Sequence, residues 1–314
     1  MRLDRRSLLT GFLTAAAASA LPVGHAVAQG GGLRTGRYTY EGLGTVNTHW
    51  VETPGGGLVV VDVQRDLTHA REALAAVRAT GRPVRAILVT HGHPDHYVGL
   101  GLFKEAFPAA ETWSSPTTRD TIRDDTYGFN AFMRRAAPGD FPDRLLLPER
   151  MLAPEQTVEI DGLTVVAREM GKAEANSASA FYLPQTGDLY VGDLVLHRMH
   201  GLFVEEATTE WLAALDRLAV LFSGPRVVHP GHGASGPTAE LLGGQRDYIV
   251  TARAIAADEF ARSGGTEEAR VRVARRVTER FAGYGFPAGL PDLVGLSAAG
   301  LFREFDRPGR GPAR

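Results

Sequence analysis

Apolar residues recur along this chain in two rhythms, one of period two and one of period near 3.6. Between residues 37 and 63 short strand-like runs alternate with turns. The clearest are 45–52 and 58–63, on either side of Pro54-Gly55-Gly56-Gly57. Leu58-Val59-Val60-Val61 is wholly apolar, the composition of a strand covered on both faces. Residues 66–80 switch to helical spacing through Ala70, Leu74 and Val77 and close at Gly81. A strand over 84–90, a helix near 99–107 and a strand at 111–114 follow. Strand, helix, strand, helix is the rhythm of a layered α/β fold.

Residues 115–150 read as a helix-rich insertion, with a helix over 121–135 that counts Phe129, Phe132 and Met133 among its apolar positions. A second strand series follows at 156–160, 163–168, 179–184 and 188–191, with the pairing of an antiparallel meander. An amphipathic helix over 210–222 leads to a short strand at 226–228. Beyond Gly244 the pattern is helical, over 245–262 and 267–281. Two strand series separated by helices predict two sheets packed face to face with helices outside. No internal repeat is evident.

Composition narrows the class. A chain of 314 residues has room for one large α/β domain with its own core. A hydrophobic content of 44% and a charged content of 22% are those of a soluble globule. The net charge of -2 offers no attraction to nucleic acid or to an anionic membrane. The absence of cysteine removes disulfides, thiolate metal sites and thiol nucleophiles together. At the start, Arg2, Arg5 and Arg6 precede an alanine-rich apolar stretch that ends in Ala26-Val27-Ala28. Residues 1–28 are therefore expected to be a cleaved export signal of the twin-arginine type, with a periplasmic or secreted destination and no stable membrane insertion afterwards. Residues 306–314, rich in glycine, proline and arginine, are expected to be a disordered tail.

The chemistry is concentrated at Thr90-His91-Gly92-His93-Pro94-Asp95-His96, directly after an apolar strand, where three of the ten histidines stand. Imidazole and carboxylate are the usual ligands of a hydrolytic metal ion, and a ligand-rich turn at the end of a buried strand holds them rigidly. His91 and His93 alternate toward one position, while Asp95 and His96 reach a second.

This segment resembles the HxHxDH signature of the metallo-β-lactamase superfamily, and two later blocks extend the resemblance over roughly residues 37–240. Gly192-Asp193, after a strand, resembles the element that supplies a carboxylate between two metal positions. Pro230-Gly231-His232-Gly233 resembles the stretch that supplies the last histidine. The resemblance implies a four-layer αββα sandwich over 33–244, with a helical C-terminal segment over 245–305. It implies a metal centre of His91, His93, Asp95, His96, Asp193 and His232, holding one or two Zn2+, with iron or manganese as the other candidates. Asp62, at the end of a strand, is expected to support the ligand turn from behind or simply to cap its strand.

One departure matters. Where the family has a Gly-His that completes the first metal position, this chain reads Met170-Gly171-Lys172-Ala173-Glu174. An ammonium repels a cation and cannot ligate while protonated. Lys172 is thus a candidate for an anionic substrate group, and Glu174 either substitutes as an oxygen ligand or is a solvated loop carboxylate. Asp95 is expected to orient the attacking water. His197 and His200, just beyond Asp193, are candidates for a proton donor, an extra ligand or an outer hydrogen-bond partner. His229 is expected to pack as structure.

The expected activity is metal-dependent hydrolysis of a small ester, lactone, β-lactam or related molecule. An iron-dependent oxidoreductase and a non-catalytic metal-binding relay protein are the alternatives. Fold membership does not select among these, and the sequence is silent on oligomeric state.

Overall fold

In the computed structural model, residues 32–307 are described except 41, 223 and 291. The expected export signal lies outside the described residues, as does most of the expected tail. Helix α1 (Leu67–Arg78) shows how local sequence sets an element. The Asp66 side chain accepts from the His69 amide at its N-terminus, and Ala70, Ala73, Leu74 and Val77 form the buried stripe.

The first sheet holds β1 (Thr35–Tyr38), β2 (Thr48–Glu52), β3 (Leu58–Val61), β4 (Val84–Leu88), β5 (Glu111–Ser114) and β6 (Arg150–Met151), in that spatial order. Its first three strands pair antiparallel and the rest parallel. Helix α1 carries the crossover from β3 to β4, and α2 (Pro94–Tyr97) with α3 (Leu100–Ala106) that from β4 to β5. Helices α4 (Pro116–Asp124) and α5 (Phe129–Ala136) stand between β5 and β6.

The second sheet runs β12-β11-β10-β9-β8-β7. Its strands are β7 (Glu155–Ile160), β8 (Leu163–Gly171), β9 (Ala178–Leu183), β10 (Asp188–Leu196), β11 (Val227–His232) and β12 (Gly236–Pro237). Strands β7 to β10 form an antiparallel meander, and β10 pairs parallel with β11 after the crossover helix α6 (Thr208–Leu221). Helices α7 (Thr238–Ser263), α8 (Glu267–Arg280) and α9 (Leu293–Phe305) complete the chain. None of the described helices is long and apolar enough to cross a membrane.

Strand alternation sorts side chains into layers. Val59, Val61, Ala86 and Leu88 of the first sheet meet Val165, Ala167, Phe181 and Leu183 of the second. The opposite faces carry Val60 and Ile87 against α1 and α3, and Leu189 and Val191 against α6 to α9. The result is the expected αββα sandwich. The C-terminal helices share one core with the second sheet.

Three differences from the expected elements have physical causes. The single helix predicted over 121–135 is two, because Asp125 (φ 45°) and Gly128 (φ 74°) turn left-handed. The Asp125 carboxylate accepts from the Asn130 and Ala131 amides and so starts a new helix. Helix α7 begins at Thr238, before the expected 245, and carries Gly243 and Gly244 in its interior. Two glycines cost a helix roughly 2 kcal/mol, and burial of Leu241, Tyr248 and Ile249 offsets that. Helix α6 begins at Thr208 because Glu304 of α9 accepts from the amides and hydroxyls of Thr208 and Thr209.

Glu304 is fully buried and also meets Arg253 of α7 at 2.8 Å, so one carboxylate ties three helices together. Glu304→Ala should lower the unfolding free energy by about 3 kcal/mol, because it removes the carboxylate partner of the part-buried Arg253 and leaves the buried amide and hydroxyl donors at the start of α6 without their acceptor. Urea denaturation at unchanged m-value checks this. A loss below about 1 kcal/mol would show that the helices hold without the carboxylate.

Candidate metal centre

The cluster lies where the two sheets are stitched along one edge. Ser179 of β9 donates its amide to the Thr90 carbonyl at 2.9 Å, and Asn47 donates to the Gly231 carbonyl at 2.8 Å. Strand β4 therefore delivers His91 against the second sheet, and β11 delivers His232 against the first.

Within this edge the donor atoms converge. His232 Nε2 stands 3.2 Å from Asp193 Oδ2 and 3.5 Å from Asp95 Oδ2. His96 Nε2 stands 3.4 Å from Asp193 Oδ1 and 3.8 Å from Asp95 Oδ1. On the other side, His91 Nε2 is 3.8 Å from Glu174 Oε2 and 4.0 Å from Asp193 Oδ2, and His93 Nδ1 is 2.9 Å from Glu174 Oε2. Ligands about 2.0–2.2 Å from a common ion in a tetrahedron stand roughly 3.3–3.6 Å apart, and the His232–Asp193, His232–Asp95 and His96–Asp193 separations of 3.2, 3.5 and 3.4 Å suit donors that share a cation.

The residues group as His91, His93 and Glu174, as His91, His96 and Asp193, and as Asp95, His96 and His232. All six residues expected as ligands are together, and Glu174 is buried with them. Lys172 stands apart from them, its side chain 50% exposed and its Nζ 4.0 Å from Glu205. Glu174, and not Lys172, thus stands with His91 and His93 among the donor atoms.

The donors fit a cation because little else satisfies them. His91 Nε2, His96 Nε2, His232 Nε2, Asp193 Oδ1 and Glu174 Oε2 are buried and make no hydrogen bond of acceptable geometry among the described residues. Buried polar atoms left unpaired are costly, and several lone pairs aimed at one point are compensated by a positive ion.

The surroundings orient each ring. Asp62, at the end of β3, accepts from the Thr90 amide at 2.9 Å and the Thr90 hydroxyl at 2.8 Å, and it accepts His96 Nδ1–H at 2.8 Å. His91 Nδ1 meets Thr90 Oγ1 at 3.0 Å, and His232 Nδ1 donates to the Thr45 carbonyl. These bonds assign the proton to Nδ1 in all three and leave Nε2 free for a cation. Asp62 therefore supports the ligand turn.

Asp193 is aimed by a β-bulge, since the pairing of β10 with β11 slips around Gly192. Gly192 has φ 50°, and a Cβ there would lie 2.4 Å from Thr90 Oγ1. A Cβ on Gly231 would lie 1.9 Å from Asp193 Oδ1. Neither position admits a side chain.

Without a cation the cluster holds protons. Burial disfavours charge on His96, but Asp193 and Asp62 outweigh it and hold the imidazole well above its ordinary range. Burial also opposes charge on His93, which the Glu174 carboxylate pushes up to about 9. His91 is held well below the ordinary range by burial and by neighbouring His96. Burial would raise Asp193, yet His232 and His96 keep it well below the usual carboxylate range.

His200 belongs to none of the donor groups. It is buried, its Nδ1 meets the Tyr248 hydroxyl at 3.1 Å, and Tyr284 and Phe286 flank its ring. His197 bonds the Ala234 carbonyl. His229 bridges Asp188 and Ser235 as a structural link between β10 and the β11–β12 turn. Tyr127, which the sequence did not single out, and Phe129, expected only as an apolar position of the helix, have rings 5.9 and 5.4 Å from that of His93.

The metallo-β-lactamase superfamily model matches residues 42–250, and the chain belongs to that superfamily. Its fold is similar to a metallo-β-lactamase from Pontibacter korlensis, with a TM-score of 0.56 and 19% identity over 72% of this chain and 99% of that one. It is also similar to the stereoselective inverting sec-alkylsulfatase Pisa1 from Pseudomonas sp., with a TM-score of 0.62 and 17% identity over 86% of this chain and 49% of that one. In sequence it is 24% identical over 220 residues to the alkyl/aryl-sulfatase BDS1 of Saccharomyces cerevisiae. That alignment covers 59% of this chain and only 34% of the relative's length.

Two outcomes check these assignments. Glu174→Ala should reduce bound metal, measured by elemental analysis, by about one ion per chain if both positions fill, because only His91, His93 and a share of Asp193 then remain at the first. An unchanged content would place Glu174 outside the donor set. Separately, burial holds His200 down to about 4, whereas an unfolded histidine titrates near 6.5. Between those values only the unfolded chain takes up the proton. The contribution of His200 to stability is thus whole above about pH 6.5 and is lost as pH falls toward 4. The fall in Tm across that window should be shallower in His200→Gln than in the wild type, and parallel curves would show that His200 is not held neutral.

Proposed function

We propose that this protein is an exported, metal-dependent hydrolase of a small ester, lactone, β-lactam or related substrate, with sulfate esters in the same range. The observation that carries the reading is the convergence of buried, hydrogen-bond-free imidazole and carboxylate atoms where the two sheets meet. The paired arginines ahead of Ala26-Val27-Ala28 support export. The two sulfatases above support the inclusion of sulfate esters.

A cation bound there supplies an activated water near neutral pH and an electrophile for a substrate oxygen. Asp95 is the donor that reaches solvent, its side chain 22% exposed. It orients the incoming water and accepts its proton. Asp193, wholly buried and held ionised, keeps the two donor groups at a fixed separation. Lys172, at the mouth of the adjoining cleft, meets an anionic substituent or the charge that develops on the substrate.

A second reading, an iron-dependent oxidoreductase, is favoured by one observation. His91, His93 and Glu174 are two imidazoles and one carboxylate, the donor set of many non-haem iron sites. Elemental analysis of protein purified without added metal separates zinc from iron.

The metal-loaded protein should turn over at least one member of a panel of esters, lactones, β-lactams, thioesters and alkyl sulfates, and a chelator should abolish that rate. Asp95→Asn should lower kcat by about 100-fold or more while metal is still found. A rate within about ten-fold of wild type would remove Asp95 from the proton transfer. If the loaded protein ignores the whole panel, the hydrolase reading fails and a non-catalytic role stands in its place.

A further inference from the structure

Next to the cluster lies a cleft of about 350 Å³ whose walls include Tyr127, Phe129, Lys172, Asn176, Glu205 and Arg307, and Tyr127 and Phe129 bring it within ring contact of His93. Its charges are unevenly answered. Arg307 is spoken for by Glu206, which also binds Arg303 at 2.6 Å. Lys172 is half in solvent and only 4.0 Å from Glu205 Oε2, a loose contact. Glu205 differs from both. Its side chain is 95% buried, and Oε1 has no hydrogen-bond partner among the described residues. Burial together with the charge of that carboxylate raises the Tyr127 phenol.

A buried carboxylate oxygen without a donor is costly to keep and is best answered by a charged donor. The two rings beside it, Tyr127 and Phe129, lie 5.3 Å apart and offer faces that attract a cation. Carboxylate and aromatic walls in one cleft form a receptor for an organic ammonium.

We infer that Glu205, with Tyr127 and Phe129, binds a cationic amine on the substrate and selects aminated over neutral molecules at this centre. Glu205 lies outside the donor set and acts in recognition. The inference rests on the hydrolase reading only for its kinetic arm, because binding is measured apart from turnover. Lys172 competes for the same carboxylate, so its removal should tighten amine binding, whereas a Glu205 that merely anchors Lys172 gives the opposite or no response.

The test uses the full chain and two matched pairs. Calorimetric titration compares benzylammonium with benzyl alcohol. Steady-state kinetics compares phenylalanine ethyl ester with ethyl 3-phenylpropanoate, which lacks only the amino group. Wild type should bind benzylammonium at least ten-fold more tightly than the alcohol and prefer the aminated ester by a similar factor in kcat/KM. Glu205→Gln, isosteric and neutral, should bring both ratios close to one and leave the rate on the neutral ester within two-fold. Lys172→Gln should raise affinity for benzylammonium several-fold.

Equal binding of the two probes by wild type, or ratios unmoved in Glu205→Gln, would overturn the inference. Turnover of neutral esters without amine preference would overturn it and leave the hydrolase reading intact. Absence of any turnover would remove the hydrolase reading, and the binding ratios would then decide the role of Glu205 alone.

Discussion

Everything at this centre hangs from the Asp62 carboxylate. It sits at the end of β3 with φ 58°, buried, and holds both the start of the ligand turn through Thr90 and the ring of His96. A charged acceptor placed there is costly unless donors surround it, and those donors are the parts that must not move. Orientation of His96, and through Thr90 of His91, follows from satisfying one buried anion.

The second requirement is that two sheets meet without a gap. Hydrogen bonds from Ser179 to Thr90 and from Asn47 to Gly231 join the sheets where the donors gather. Gly192 and Gly231 let backbone pass where a Cβ would strike Thr90 or Asp193. The bulge at Gly192 turns Asp193 inward between His91 on one side and His96 and His232 on the other. Packing and chemistry share the same atoms here, so a small displacement of either sheet would separate the donor groups.

The walls of the neighbouring cleft come from elements remote in sequence. The broken helix between α4 and α5 presents Tyr127 and Phe129, the β8–β9 connection presents Lys172 and Asn176, and the segment before α6 presents Glu205. Glu206 is held by Arg303 and Arg307. The C-terminal helices thereby complete the cleft as well as covering the second sheet. Arg307, in the segment expected to be a disordered tail, pairs with Glu206.

Much of this was legible in one dimension. Residues 84–90 and 188–191 announced strands through mostly apolar runs, His91, His93, Asp95 and His96 announced themselves by type and spacing, and Asp193 and His232 followed from the family resemblance. Those signals are local: a period of two, a turn residue, a ligand-rich segment at a strand end. The choice between Lys172 and Glu174 was not legible, because both stand in one short loop and only the path of β8 into β9 decides which one turns inward. The early starts of α6 and α7 were hidden for a related reason. A capping carboxylate 96 residues away and a helix face covered by distant strands leave no mark on the neighbouring sequence. Sequence alone determined which chemistry the chain carries and the alternation that makes two sheets. Only the tertiary structure decided which side chains share a pocket, because burial and pairing are properties of residues brought together from far along the chain.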